Sequence, residues 1–319
     1  MTLVVPDGVL LDEILDRSFE LWPEGLSPEA YRRWQAALTR TPWARAHATR
    51  VALVDETGRL LASARQFHHQ VRLHGREGWM CGIGAVATPP PLRGRGHASA
   101  LVEQIVERAR VEGALMAGLF SEIGTDFYRR LGFVPVPLDE VTVQVKRKDG
   151  APAMLVRAGD DRDLRAVAGI HAARTETVPF ALRRDASSIH HALARRRLLA
   201  GLGPAGLRQV EFVVAEEGAS AVAYAVLNEN ANGWTLEEAG DRDPAGARLG
   251  GMLQVLLARE PSAPAPLIRA WWPRAFPVPP QMELTDRTDA RDVLMLRPLA
   301  DVPIPAGAGD VFYWHADRF

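Results

Sequence analysis

The 319-residue sequence predicts an α/β chain made of two tandem units. Three observations carry that expectation. Strand and helix signals alternate from the start of the chain. The same order of signals begins again after the charged, Gly- and Pro-containing stretch "KRKDGAPA" at 146–153. In the first unit, "AVATPPPLRGRGHASALVEQIVERARVEG" joins an apolar run to a long helical pattern through three prolines and a Gly-Arg loop.

Taken in order, "TLVVPDGVLLDEILDRSFELWP" reads as a short strand and a helix. "SPEAYRRWQAAL" is a second helix, with Ser27 as its cap, Pro28 at its first position and Glu29 in its first turn. "TRVALVDETGRLLASARQFHHQVRL" reads as two antiparallel strands around a turn at Asp55–Gly58. "GWMCGIGAVAT", apolar on both faces, is expected at the centre of a sheet. After the loop, Ala98, Leu101, Val102, Ile105, Val106 and Ala109 recur at helical spacing. "ALMAGLF" is a buried strand, "DFYRRLGFVPVP" a short helix ended at Gly132, and "EVTVQVKRK" the strand that closes the unit. The second unit repeats strand, acidic cap and helix in "MLVRAGDDRDLRAVAGIHAAR" and a further helix in "DASSIHHALARRRLLAGL". Three strands follow in "QVEFVVAEEGASAVAYAVLNENANGWTLEEAG", a helix in "AGARLGGMLQVLLARE", and late strands in "PLIRAWWP" and "DVLMLRPL". The units are expected at 1–148 and 152–319.

Composition narrows the function. With 47% hydrophobic and 24% charged residues and a net charge of −1, the chain has no general affinity for nucleic acid or anionic membrane. No apolar run is long enough to span a membrane, and the N-terminus lacks a basic leader. Cys81 is the single cysteine, so no intramolecular disulfide forms and a cytoplasmic setting is expected. No metal-ligand constellation is present. Oligomeric state is left open.

The Gly-Arg loop is the strongest chemical signal. A nucleoside-triphosphate loop needs Gly-Lys-Ser or Gly-Lys-Thr, and "RGRGHAS" has neither. A dinucleotide fingerprint needs a third glycine where Ser99 stands. As Arg-x-x-Gly-x-Ala the loop is complete in Arg93, Gly96 and Ala98. Gly94 and Gly96 let the backbone approach a ligand, and the first helical amides face an anion with the helix dipole behind them. Arg93 and Arg95 add charge-assisted contacts. A solvated loop with an ordinary helix cap is the alternative.

With "GAVATPP" before it and "FYRRLGF" about thirty residues after it, this loop resembles that of the GNAT acetyltransferase superfamily. The resemblance implies a central mixed, mostly antiparallel sheet flanked by helices in each unit, and acetyl-CoA as co-substrate. It implies that the coenzyme A pyrophosphate rests on Arg93, Gly94, Arg95, Gly96, His97 and Ala98. The strand before the loop then serves the pantetheine arm at Val86 and Thr88. Tyr128 falls at the position of the tyrosine that protonates the leaving thiolate. Two such units resemble the Eis-type branch, through "GIGAVATPPPLRGRG" and "LFSE...FYRRLGF", although the chain is expected to be too short for the third, sterol-carrier-like domain of that branch. The second unit has "EEAGDRDPAGARLGGML" in place of the loop. Asp241 and Asp243 would oppose a diphosphate, so this unit is expected to be a degenerate copy that shapes the substrate site.

Acetyl transfer to an amine needs a neutral nucleophile, a nearby thioester and a proton source. Backbone donors on the strand near Val86 suit the developing oxyanion. Tyr128 is the acid candidate, or else an aromatic anchor. For the base, "WMCGIGAV" supplies no carboxylate. Glu122 is one candidate. The other, implied by the Eis-type resemblance, is the carboxylate of Phe319, reached if the apolar tail "GDVFYWHADRF" docks. His68 and His69 point to opposite faces of a strand, so at most one lines the acceptor cleft. His190 and His191 read as structural or exposed, and Trp271, Trp272 and Trp314 as core. Cys81, in a buried strand, is a poor nucleophile. The function expected is direct N-acetyl transfer to a small-molecule or peptide amine. The competing reading is a non-catalytic acyl-CoA-binding or regulatory module.

Overall fold

The structure, a computed structural model, describes residues 1–146, 152–231, 233–259 and 265–319. It contains two mixed sheets flanked by helices. The expected boundary at 146–153 lies largely outside the described residues.

In the first unit, β1 (Thr2–Val4) leads to α1 (Gly8–Leu21) and α2 (Pro28–Thr39). Ser27 caps α2 by accepting from the amide of Ala30, with Pro28 at its first turn, as its sequence requires. A six-residue helix, α3 (Pro42–His47), then enters the hairpin of β2 (Ala48–Val54) and β3 (Leu60–Leu73). β4 (Arg76–Ala87) is central, antiparallel to β3 and parallel to β5 (Met116–Ser121). Between β4 and β5 runs α4 (His97–Val111). It buries Leu101, Val102, Ile105, Val106 and Ala109 against the sheet, at roughly 1.5–3 kcal/mol per large side chain. α5 (Asp126–Arg129) and β6 (Val134–Val136) follow.

Here one expectation is corrected. The strand at "EVTVQVKRK", β7 (Asp139–Val145), does not close the first sheet. Only Pro137 and Leu138 separate it from β6. A two-residue reversal needs positive φ, which neither residue adopts, so the chain runs on into the other sheet. β7 pairs there with β13 (Ile268–Trp271) and β14 (Met282–Asp289). In return β15 (Val293–Pro298) fills the first sheet between β5 and β6.

The second unit repeats the first in outline. β8 (Leu155–Ala158), α6 (Leu164–Thr175), β9 (Phe180–Leu182) and α7 (Ala186–Leu202) precede the antiparallel strands β10 (Arg208–Glu217), β11 (Ser220–Asn230) and β12 (Gly233–Asp241). Then α8 (Ala247–Ala258) leads to β13, which lies parallel to β12 just as β5 lies parallel to β4. The first sheet runs β1-β2-β3-β4-β5-β15-β6, with β9 on β3, and the second β14-β7-β13-β12-β11-β10-β8. The tail forms β16 (Val311–Phe312) on β9 and buries Tyr313 and Trp314. Trp271 and Trp272 are core as well.

Candidate active site

The site begins where β4 and β5 part. Their register holds from Met80↔Met116 to Ile83↔Leu119 and goes no further. Beyond it β4 bulges, two residues (Ala85 and Val86) standing opposite Ala64 of β3, and Ala85 takes a left-handed φ of 49°. β5 stays paired with β15 on its other side as far as Ser121. The opening between them is a cavity of about 170 Å³ lined by Gly84, Val86, Phe120, Glu122, Tyr128 and Phe319, among others.

Four sequence-predicted residues therefore meet in one cleft: Val86, Glu122, Tyr128 and Phe319. Tyr128 is held from behind, its ring packed edge-on against Phe127 and Phe133 in the core under α4. Burial, and then the charge of Glu122, push its phenol up to about 12. It stays protonated at neutral pH, which suits a proton donor and excludes a base.

Phe319 arrives from the far end of the chain. A β-carbon built on Gly84 would stand 3.2 Å from its main-chain oxygen, and one on Gly82 would stand 2.9 Å from its ring. Phe319 also packs on His69 and Phe120. The tail is held by a buried ion pair, Arg184 to Glu238 at 2.8 Å and to Asp317 at 3.3 Å. Glu122 is more exposed and already engaged. It accepts from Trp22 Nε1 at 3.2 Å and from the guanidinium of Arg318.

The remaining predicted residues lie one step outward. Thr88 and Arg93 line a small recess beside Ser63 and Ala87, and Arg93 Nε donates to the Thr88 carbonyl at 3.3 Å. Thr88 Oγ1 is buried without a partner. Gly94 and Gly96 both adopt left-handed φ, 76° and 81°, and a β-carbon on either would meet nothing within 4 Å. Gly96 is the cap of α4, followed by His97 and Ala98 in its first turn. Among the described residues, the amides from Gly94 to Ser99 donate to no main-chain carbonyl, and the first to do so is Ala100, to Gly96. Bare donors, open space and a helix N-terminus fit a diphosphate, and the unpartnered Thr88 hydroxyl lies on the path from loop to cleft. These are the residues that would hold coenzyme A.

The second unit's counterpart has the same cap geometry and a different content. Gly246 caps α8 at φ 71°, but a β-carbon there would stand 3.2 Å from Pro279. The Asp241 carboxylate already occupies the anion position, accepting from the amides of Leu249 at 2.9 Å and Asp243 at 2.8 Å.

Cys81 and Ile83 face α4, while Gly82 and Gly84 face Phe319. Cys81 is fully buried and its thiol is pushed up to about 12 by burial, so it has no nucleophilic role. Among the described residues, no group of three or more His, Cys, Asp or Glu is placed to hold a metal ion. No helix among them is long and apolar enough to cross a membrane.

Sequence reasoning missed the floor of the cleft. A second cavity, about 350 Å³, lies against the first and shares Trp34, Arg65, Phe67, Arg195, Arg318 and Phe319 with it. His69 and His191 line it, both held neutral, down to about 3, chiefly by burial. His191, expected to be structural or exposed, lines this cavity and hydrogen-bonds Thr41 at 2.8 Å. His68 stacks instead on Trp79, 4.1 Å between centroids.

Comparison with known proteins bears on the fold. Residues 12–136 match the family model described as Acetyltransferase (GNAT) domain. A probable N-acyltransferase from Enterococcus faecalis V583 shares the fold at TM-score 0.67 and 15% identity, covering 93% of this chain and 72% of that one. The GCN5-related N-acetyltransferase from Kribbella flavida does so at TM-score 0.63 and 20% identity, over 93% and 72%. Eis1 from Mycobacterium abscessus does so at 0.55 and 13%, over 94% and 74%. At these identities the likeness is one of fold. No curated protein matches the sequence. The chain thus resembles the GNAT acetyltransferases, with an acetyltransferase domain over 12–136 and a two-sheet fold shared with Eis1 over nearly its whole length. Domain match and structural neighbours together support N-acyltransferase activity in general.

Proposed function

We propose that the protein is an acetyl-CoA-dependent N-acetyltransferase that transfers acetyl directly to a primary amine in a ternary complex. In this reading residues 1–148 are the catalytic unit, and 152–319 form a degenerate copy whose tail completes the cleft. One observation carries the reading: Val86, Tyr128 and the terminal residue Phe319 line a single opening between β4 and β5, beside a glycine loop with unpaired amides.

Bound acetyl-CoA would supply the acetyl group as an activated thioester. The loop amides and Arg93 and Arg95 hold the diphosphate, and the bulge at Ala85–Val86 turns main-chain groups toward the reacting carbonyl. The amine nitrogen bonds to that carbonyl carbon as the carbon–sulfur bond breaks. Tyr128 gives its proton to the leaving sulfur. The carboxylate of Phe319 takes the proton lost by the amine. Glu122, held by Trp22 and Arg318, is assigned a positioning role. The single, unpaired Cys81 suits a reducing, cytoplasmic setting.

The test is release of free thiol from acetyl-CoA across a panel of amines. Acceleration by an amine, with the N-acetyl product identified by mass, is expected. Tight coenzyme A binding with no amine response would favour a binding or regulatory module instead.

A further inference from the structure

The acceptor side of the cleft is short of negative charge. Arg65 of β3 and Arg195 of α7 come from opposite halves of the chain, and both line the two adjoining cavities. Among the described residues, neither is ion-paired with a side-chain carboxylate. Every other arginine lining the larger cavity is paired. Arg183 meets Glu77 at 2.8 Å, Arg184 meets Glu238 and Asp317, and Arg318 meets Asp292 at 2.9 Å as well as Glu122. Arg195 donates only to the main-chain oxygen of Arg318, and the Arg65 guanidinium lies 4.9 Å over the Phe67 ring. Arg50, a third guanidinium on the smaller cavity, bonds the neutral Gln35 at 3.1 Å. Against these three cations the lining sets Glu24, the main-chain carboxylate of Phe319 and Asp185, whose carboxylate is taken up by Ser187 and the amide of Ser188 at the start of α7.

Such groups are costly to leave unpaired away from bulk water. Burial, and then the neighbouring guanidiniums, draw Arg65 down to about 10 and Arg195 down to about 9. His69 and His191, which line the same cavity, are neutral and bring no counter-charge. Around the arginines stand Trp34, Trp43 and Phe67, which would pack an apolar body.

We propose that the acceptor is an amine that also carries a carboxylate, held by Arg65 and Arg195, with an apolar or aromatic body against Trp34, Trp43 and Phe67. This rests on the acetyl-transfer reading and names its substrate class. A planar guanidinium pairs with a carboxylate in two parallel hydrogen bonds, giving orientation as well as attraction. A polycationic acceptor meets repulsion at the same place.

Matched acceptors that differ in that one group decide the matter: phenylalanine against phenylalaninamide, and leucine against leucinamide, with spermidine as the cationic comparison. Calorimetric titration into the full-length protein should show the carboxylate member of each pair binding about tenfold tighter or more. Arg65→Met and Arg195→Met should each remove most of that advantage, and Arg65→Lys and Arg195→Lys should keep part of it. The lysine variants also serve if a methionine variant fails to fold. Equal binding within both pairs, no binding of either carboxylate, tighter binding of spermidine, or an advantage that survives both methionine variants overturns the proposal. Coenzyme A is titrated separately. If it fails to bind while the carboxylates bind as expected, the transfer reading fails and with it the acceptor role, while the carboxylate site at Arg65 and Arg195 stands. If it binds and the carboxylates have no advantage, only this one fails.

Discussion

The main-chain oxygen of Phe319 lies against Gly84, the residue where β4 leaves β5; a β-carbon on Gly84 would stand 3.2 Å from that oxygen and 3.3 Å from the Phe67 ring. The last residue of the chain is thereby packed on the strand that carries the putting-together of the whole cleft. Gly84→Val should displace the terminus, lowering turnover at least tenfold while coenzyme A affinity is unchanged, with about 1–3 kcal/mol of stability lost to overpacking. A Gly-Ser extension after Phe319 should reproduce the kinetic loss, and the same extension before Met1 should not. Steady-state rates of the three proteins decide it, and full activity in the extended tail would remove Phe319 from the proton path.

At the other end of the cleft, Gly96→Val should abolish coenzyme A binding. The side chain itself meets open space, so the effect comes from forcing a β-branched residue out of φ 81° and turning the loop amides away. Titration of coenzyme A into the variant checks this, with circular dichroism to show the fold retained. Asp241→Ala with Asp243→Ala should leave the stoichiometry at one per chain, because Pro277 and Pro279 still cover Gly246.

Tyr128→Phe keeps the ring contacts with Phe127 and Phe133 and removes only the donor. A loss of about 100-fold or more in turnover, at constant coenzyme A affinity, is expected of a general acid. Because the phenol sits at about 12, no falling limb from its ionisation should appear in the pH–rate profile between pH 7 and 10. A loss of only a few-fold would leave Tyr128 as a packing residue.

Stability should fall on mild acidification. His69 and His191 lie at about 3, and His171 and His315 at about 4, all below the ordinary 6.5 and all chiefly through burial. The unfolded chain therefore binds protons that the native one refuses. Their contribution is complete above pH 6.5 and is lost as pH drops from there toward 3–4. Asp241 and Asp317, raised by burial, act with the opposite sign, but in the carboxylate range. The Tm should be lower at pH 5 than at pH 7.5, and His69→Gln with His191→Gln should narrow the gap. A Tm unchanged between these pH values would contradict the assignment.

Much of the site was legible because it is local. The left-handed glycines, the cap of α4 and the Tyr128 helix each follow from a few neighbouring residues. The docking of the tail was legible from its aromatic content. The exchange of β7 and β15 was not, since it depends on which strand edges lie open in the folded protein. Nor were the arginines. Nothing in the sequence marks Arg65 or Arg195, and only the packing of α7 on α2 and α3 brings them to the same cavities. The strands β9, β14 and β16 were missed for the same reason, their pairing being supplied by distant segments, whereas α3 was missed although Thr41 and Pro42 mark its start locally.

The exchanged strands also set a timetable for synthesis. The slot between β5 and β6 stays empty until residues 293–298 have left the ribosome, more than 150 residues after β6 itself. Until then the nascent first sheet carries two open edges, and β7 waits for partners at 268–271 and 282–289. Unpaired edges are templates for aggregation. A gene cut at the junction of the units would yield two halves that each lack a strand the other holds.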